Sequence, residues 1–220
     1  MRELRRRAVA GREDTGTSLV EMLVSMVLFA TAMGLIMGAA VQVQRMTKDS
    51  EGAAAATQQT RQALAMIERQ VRSGNVLFSP ADEALHISTC EDLGPRQGSC
   101  MRIFTQSNGD EKCVQWQLAP TAGATTHELR MRSWEPTWQT TGGVSDWTVV
   151  AHGLRGPAAG SAPFTLDVGP AGVYGERLLR VHLVAVNPQS GKDVSLDASV
   201  SGRNTTYGYT GGECLPVPAP

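Results

Sequence analysis

The chain lacks the short sequence motifs that identify common enzymes. It contains no GxSxG nucleophile elbow, no HExxH zinc motif, no Walker phosphate loop and no dinucleotide-binding glycine pattern. The four histidines are scattered along the chain, and His182 occupies an alternating position of a predicted strand, where a side chain usually faces solvent. The sequence therefore predicts a protein that is not an enzyme and has no cofactor. The other histidines are His86, His127 and His152.

The chain also lacks an excess of charge of either sign. It has 20 lysines and arginines against 21 aspartates and glutamates, which leaves a formal net charge of −1. A domain that binds nucleic acid through its general surface is usually strongly basic. The composition argues against nucleic acid as a partner. Nucleic-acid binding through a local basic patch is the alternative that the composition allows.

Cysteine is scarce and is absent before residue 90. The four cysteines are Cys90, Cys100, Cys113 and Cys214, and an even number favours disulfides in an oxidising compartment. Three pairings are possible. We favour Cys90–Cys100, which closes a short loop, and Cys113–Cys214, which tethers the proline-rich tail to a central strand. A zinc site is the alternative, and it is disfavoured because no CxxC pair is present.

One long segment contains no charged residue. Met22–Val41 is a run of 20 uncharged residues. At about 1.5 Å per residue, a helix of this length spans about 30 Å, the thickness of a bilayer core. Five arginines precede the run, and the first basic residue after it is Arg45. By the positive-inside rule, we expect a cytoplasmic N-terminus and an extracytoplasmic chain beyond about residue 45.

A single carboxylate, Glu21, stands immediately before this run. An acidic side chain costs about 2.5–3.5 kcal/mol at the centre of a membrane helix, and less near the interface, so chains retain one mainly where something pairs with it. A secretory signal peptide cleaved near Gly38-Ala39-Ala40 is one explanation of the segment, but the apolar run is long for it. A plain uncleaved anchor is another, and it has no use for Glu21.

The residues Gly16-Thr-Ser-Leu-Val-Glu21 resemble the class III signal of type IV prepilins and type II secretion pseudopilins. In that family a short charged leader ends in glycine, cleavage precedes the apolar segment, and glutamate is the fifth mature residue. Gly16 matches the last leader position, Thr17 the new N-terminus and Glu21 the fifth-position glutamate. The family usually has Phe or Met where this chain has Thr17.

The resemblance implies a minor pilin or pseudopilin, a structural subunit of a type IV pilus or of a type II secretion-like filament. The implied partners are a prepilin peptidase that cleaves and N-methylates the chain, other pilins or pseudopilins, the assembly platform and plasma-membrane lipid. Glu21 would neutralise the terminal ammonium of a neighbouring subunit during assembly. The implied location is the inner membrane, single-pass, and then a filament. The alternative is a membrane-anchored extracytoplasmic ligand-binding domain with an uncleaved signal anchor.

Small residues recur within the apolar run. Ala30, Gly34 and Gly38 are spaced four residues apart, and a GxxxG stripe lets helices approach closely in lipid, although small residues are also common in membrane helices generally. Beyond the run an apolar periodicity of three and four residues continues, opposite a polar face. It predicts one helix from about residue 17 to 73. The periodic residues are Ala53, Ala56, Ala63, Leu64, Ile67 and Val71.

From about residue 76 the sequence consists of short alternating runs separated by turn residues, which predicts strands. The last two runs flank a hairpin loop at Asn187–Asp193. We expect an antiparallel sheet with one solvated face and the other covered by the helix. The hairpin, followed by Arg203-Asn204, loosely resembles J-type minor pseudopilins and PilW-like minor pilins. The predicted strands are Leu85–Ser88, Met101–Gln106, Lys112–Leu118, Glu128–Ser133, Trp147–Ala151, Phe164–Val168, Arg177–Val186 and Val194–Ser201.

The expected fold class is α+β and pilin-like, with a long N-terminal helix, first transmembrane and then amphipathic, packed on an antiparallel β domain. The four tryptophans favour core packing, with an exposed aromatic recognition patch near Trp134–Trp147 as the alternative. The expected divisions are a leader at 1–16, a transmembrane half-helix at 17–45, an amphipathic half-helix at 46–75, a β-rich domain at 76–214 and a mobile tail at 215–220.

Overall fold

The computed structural model describes residues 16, 18–106, 109–158, 160–202, 209 and 211–219. The expected leader up to residue 15, together with Thr17 and the pair Arg203-Asn204, therefore lies outside the described residues. The chain divides into two compact units, Met1–Thr47 and Lys48–Pro220. Helix α1 (Leu19–Ser73) begins in the first unit and ends in the second.

The second unit contains an antiparallel sheet with a curled course. The strands follow the order β1-β4-β5-β6-β7-β9-β8-β3-β2, and β10 pairs with β9. A long apolar helix followed by such a sheet belongs to the expected α+β class. The strands are β1 (Gly74–Leu77), β2 (Asp92–Gly94), β3 (Gln97–Gly98), β4 (Cys100–Thr105), β5 (Lys112–Pro120), β6 (His127–Trp134), β7 (Thr148–Leu154), β8 (Phe164–Asp167), β9 (Leu178–Val186) and β10 (Asp193–Ser201), and a short helix α2 (Trp138–Thr141) follows β6.

The second half of α1 forms a core with the sheet. Its buried residues, Thr60, Ala63, Ile67 and Val71, follow one another at intervals of three and four, as the sequence periodicity predicted. Ala63, Ile67 and Val71 join a cluster that contains the inward side chains of the central strands. The indole N–H of Trp116 on β5 donates to Gln70 Oε1 at 2.6 Å, which gives the buried tryptophan a polar partner on the helix.

Helix α1 ends where the chain turns into the sheet. Gly74 follows the last helical residue and starts β1. A Cβ at Gly74 would lie 2.8 Å from Ile103 Cγ2, so only glycine allows this close approach to β4. The hydroxyl of Thr105 donates to the carbonyl oxygen of Ser73 at 3.1 Å and satisfies one of the free carbonyls at the helix end.

The outer face of β4 and β5 is covered, which corrects the expectation of one solvated face. All six residues of β4 are buried, as are the seven central residues of β5. The disulfides Cys90–Cys100 and Cys113–Cys214 attach two covering segments to this face, and this is the pairing that the sequence analysis favoured. One segment contains the 3-10 helix Pro80–Leu85, and the other is the C-terminal tail.

The covered face carries a chain of polar contacts between neighbouring strands. Arg102, Gln115 and Arg132 lie side by side on β4, β5 and β6. Glu83 from the covering 3-10 helix accepts from Arg102 Nε (3.0 Å) and from Gln115 Nε2 (2.8 Å), and Gln115 Oε1 accepts from Arg132 Nε (3.0 Å). The Glu83 and Arg102 side chains are only 0% and 2% exposed. Each buried charge therefore depends on its hydrogen-bond partners.

The C-terminal segment, expected from the sequence to be a mobile tail, makes hydrogen bonds to Arg132 and Trp138 within the described residues. Arg132 donates to the carbonyl oxygens of Pro218 and Ala219, both at 2.7 Å, and the Trp138 indole N–H donates to the carbonyl of Pro216 at 2.9 Å. Val217 packs against buried residues of the outer face. The tail docks because its carbonyl groups meet the buried Arg132 guanidinium, whose donors would otherwise lack these partners.

Seven of the eight predicted strands are present, with ends shifted by up to three residues. The predicted strand Leu85–Ser88 is wrong, because Leu85 ends the 3-10 helix and the next residues form a turn. Leu85 is 82% exposed and Ile87 is 1% exposed, so a turn that buries one side chain imitates strand alternation. The short strands β1, β2 and β3 were missed, because two to four residues are too few to show a period.

We predict that Glu83→Gln lowers the free energy of unfolding by about 3 kcal/mol, because it leaves the Arg102 guanidinium buried without a counter-charge. Urea unfolding of the full chain in detergent, followed by tryptophan fluorescence, measures this change. Glu68→Gln is the matched control. It removes the partner of Arg72 in a pair whose side chains are 45% and 69% exposed, and it should change stability by less than about 0.5 kcal/mol. Equal effects of the two substitutions would contradict the prediction.

Candidate functional site

The apolar part of α1 is the first candidate. Its large side chains are exposed throughout, and α1 is the one helix in the described part of the chain that is long and apolar enough to span a membrane. The hydroxyls of Thr31 and Thr47 donate to the carbonyl oxygens of Leu28 (2.9 Å) and Val43 (3.0 Å). These hydroxyls therefore have partners within the helix and do not require water.

Ser18 caps the first turn of α1. Its Oγ accepts a hydrogen bond from the backbone N–H of Glu21 at 3.2 Å, and its carbonyl oxygen accepts from the N–H of Met22 at 3.2 Å. A serine followed three residues later by glutamate is the capping-box sequence, and a carboxylate in the first turn also interacts favourably with the helix dipole. Ser18 thus fixes the start of α1, a cap that sequence reasoning missed although the spacing signals it.

The small residues of the apolar part face open space. Gly34 and Gly38 lie four residues apart, on one side of α1 with Ala30. A Cβ at either glycine would meet no described atom within 4 Å. Each glycine disfavours the helix by about 1 kcal/mol relative to alanine. Since no contact within the described chain requires glycine, any packing reason for these residues involves another molecule.

Gly16 and Glu21 lie at the same end of α1. Gly16 is exposed, and a Cβ there would also meet no described atom within 4 Å. Thr17, the expected new N-terminus, is outside the described residues. The predicted processing and assembly positions thus share one helix end, whereas the four cysteines belong to the second unit.

The second candidate is the Arg- and Trp-containing outer face of the sheet, and its charged groups are held in a closed network. Burial raises the pKa of Glu83, against the opposing effects of Arg102 and the Gln115 amide. Burial, together with the nearby charge of Arg130, lowers the pKa of Arg132 to about 10. Sequence reasoning missed this network, although polar residues alternate with apolar ones on β4, β5 and β6.

The tryptophans near this face are occupied by contacts within the chain. Trp116 and Trp134 are buried, while Trp138 and Trp147 are half-buried. The guanidinium groups of Arg130 and Arg132 each lie 4.6 Å from the ring centre of Trp147. Trp116 and Trp134 therefore pack in the core. Trp138 and Trp147 contact the chain's own tail and arginines, so they do not form an open recognition patch.

The third candidate is a histidine and aspartate pair on β9 and β10. His182 Nδ1 lies 2.6 Å from Asp197 Oδ1, and this hydrogen bond lowers the pKa of Asp197. Both line an outer groove of about 330 Å³. Ser195 donates to Asp197 Oδ2 at 3.2 Å rather than to His182. This order of contacts differs from a Ser-His-Asp relay, in which histidine contacts the serine.

The described residues contain no group of three or more His, Cys, Asp and Glu side chains that would hold a metal ion. All four cysteines are in disulfides.

Comparison of the chain with protein-family models, with curated proteins and with solved structures gives no match.

We predict that Met33→Arg reduces membrane integration of the full chain, because it places a charge near the middle of the uncharged run at a cost of about 2.5–3.5 kcal/mol. The measurement is the fraction of chain that stays in carbonate-washed membranes. Met46→Arg is the matched control, since Met46 is also an exposed methionine of α1 but lies beyond the run. Retention of both variants at the wild-type level would contradict a spanning segment.

Proposed function

We propose that the chain is a minor pilin or pseudopilin, an assembly subunit of a type IV pilus or type II secretion-like filament. The observation that carries the proposal is the position of Glu21, in the first turn of an exposed apolar helix and five residues after Gly16. The exposed Gly34 and Gly38 support it, because no contact within the described chain accounts for them.

In this proposal the apolar part of α1 has two successive environments. It first anchors the chain in the inner membrane, with the N-terminus in the cytoplasm and the β domain outside. It then packs against the same segments of neighbouring subunits after extraction by the assembly platform. Glu21 pairs with the terminal ammonium of a neighbour, and this pairing offsets the desolvation of both charges in an apolar surrounding.

A prepilin peptidase would cut between Gly16 and Thr17. We predict that the chain made in a host with this peptidase begins at Thr17, and that Gly16→Ala retains the leader. N-terminal sequencing or mass spectrometry of the purified protein distinguishes the two forms. A terminus near Gln42 would identify a signal peptide, and an intact Met1 in the wild type would identify a plain anchor, so either result would overturn the proposal.

The assembly role of Glu21 can be separated from its capping role. Glutamine also serves in the capping box, so Glu21→Gln preserves the helix start and removes the charge. Ser18→Ala removes the cap and keeps the carboxylate, at a cost of about 1 kcal/mol of helix stability. We predict that Glu21→Gln is cleaved normally and is lost from sheared filaments, whereas Ser18→Ala is still incorporated. Normal incorporation of Glu21→Gln would exclude the pairing role.

The second candidate function is a membrane-anchored extracytoplasmic domain with an uncleaved anchor. The Ser18-x-x-Glu21 spacing favours it, because a glutamate three residues after the cap also suits a helix start within its own chain. The two functions differ at the N-terminus of the mature protein and in the response to Glu21→Gln.

A further inference from the structure

The outer edge of β10 is open along the strand. β10 pairs with β9 without interruption, from Asp193 opposite Val186 to Ser201 opposite Leu178. At the two ends of this ladder Asn187 N–H donates to the Lys192 carbonyl and Gly202 N–H donates to the Arg177 carbonyl. Both bonds involve even-numbered residues, Lys192 and Gly202, and hydrogen-bonded pairs alternate along an antiparallel ladder. The backbone groups of even-numbered β10 residues therefore point toward β9, and those of odd-numbered residues point away from it.

Three residues carry the outward backbone groups in the middle of the edge, Ser195, Asp197 and Ser199. Within the part of the chain that the structure describes, their backbone N–H and carbonyl groups make no hydrogen bond. Natural sheets usually protect such an edge with proline, lysine or a bulge. β10 has none of these, and its only charged residues are Asp193 and Asp197.

The helix surface beside this edge is also uncovered. A groove of about 700 Å³ is lined by Val194 of β10 and by small and polar residues of α1. The α1 residues are Ala53, Ala54, Thr57, Gln58, Arg61, Gln62 and Ala65. Side chains on the helix-facing side of the sheet are less buried on β10 than on β9. Leu183 on β9 is buried, whereas Leu196, directly opposite on β10, is half-buried. The open backbone edge and the uncovered groove therefore lie at the same side of the sheet.

We propose that β10 is a docking edge for an extended segment of a partner protein, which adds as a further antiparallel strand. Small apolar side chains of this segment face the α1 groove, and a basic side chain lies opposite Asp197. The carboxylate of Asp197 is 72% exposed and is held by His182 and Ser195, so it is oriented and available to a cation. Main-chain hydrogen bonds supply affinity and the alternating side chains supply specificity.

The charges distinguish this partner from a second copy of the chain. If two β10 strands paired antiparallel over their full length, Asp197 of one copy would lie opposite Asp197 of the other. Like charges directly opposite each other in a sheet are destabilising. The edge therefore fits a basic segment of a different protein. This inference does not depend on processing of the N-terminal segment or on filament assembly.

The test uses the full chain in detergent and a fluorescent nine-residue peptide that alternates lysine and valine. We expect saturable binding by fluorescence anisotropy. In antiparallel addition the lysines occupy hydrogen-bonded positions opposite Ser195, Asp197 and Ser199, so N-methylation of the lysine backbone nitrogens removes the main-chain hydrogen bonds that the peptide donates and keeps the charge. The N-methylated peptide should bind at least about tenfold more weakly. Equal binding of both peptides would mean that charge alone holds the peptide, and it would contradict strand addition.

Ser199→Pro is the variant that tests the edge, because it removes an outward N–H and leaves the ladder to β9 intact. It should weaken peptide binding at least about tenfold, whereas the matched control Ser199→Ala should not change it. Asp197→Lys provides a second test, since it should reject the lysine peptide and bind one with glutamate in place of lysine.

Wild-type binding by Ser199→Pro, or no exchange of peptide preference in Asp197→Lys, would overturn the proposal. A wild-type dimer that Ser199→Pro converts to a monomer would identify a second copy as the occupant and overturn the assignment to a different protein.

Discussion

The second unit depends on the buried contact between Glu83 and Arg102, because it joins the covering 3-10 helix to the middle of the sheet. Strands β4, β5 and β6 carry arginine and glutamine on the face opposite α1. Such side chains remain in the interior only with hydrogen-bond partners. The covering segments supply these partners. Glu83 binds Arg102 and Gln115, and the tail carbonyls accept from Arg132 and Arg102. The disulfides attach both covering segments to the strands that need them.

In the first unit apolar side chains lack a cover, whereas in the second unit polar side chains have one. Its helix has large apolar side chains that nothing in the described chain covers, and two glycines whose open side no contact within it explains. Exposed apolar area costs about 25 cal/mol per Å² in water, so a surface of this extent is stable only in lipid or against other proteins. The proposed pilin-like function uses both environments in succession. The open edge of β10 is a separate surface, polar on its backbone and acidic in its side chains.

Much of the fold was predictable from the periodic spacing of apolar residues. The helix that buries Ala63, Ile67 and Val71 was predicted almost to its last residue, because intervals of three and four persist over many turns. The hairpin of β9 and β10 was predicted because both strands alternate over nine residues. The turn around Ile87 was mistaken for a strand, because two alternating residues satisfy either structure. The proline-rich tail was expected to be mobile, since its own sequence does not show the donors that bind it.

Properties that depend on local order along the chain are readable from the residues alone. These are the uncharged run after Glu21, the helix, and the alternation of most strands. Which polar residues are buried together, which face the tail covers and which strand edge remains open depend on how distant segments pack. The difference is one of range. Periodicity and capping act within about four residues. The contact between Arg132 and the tail joins residues 86 and 87 positions apart, and the open edge of β10 results from the absence, among the described residues, of a strand beyond it.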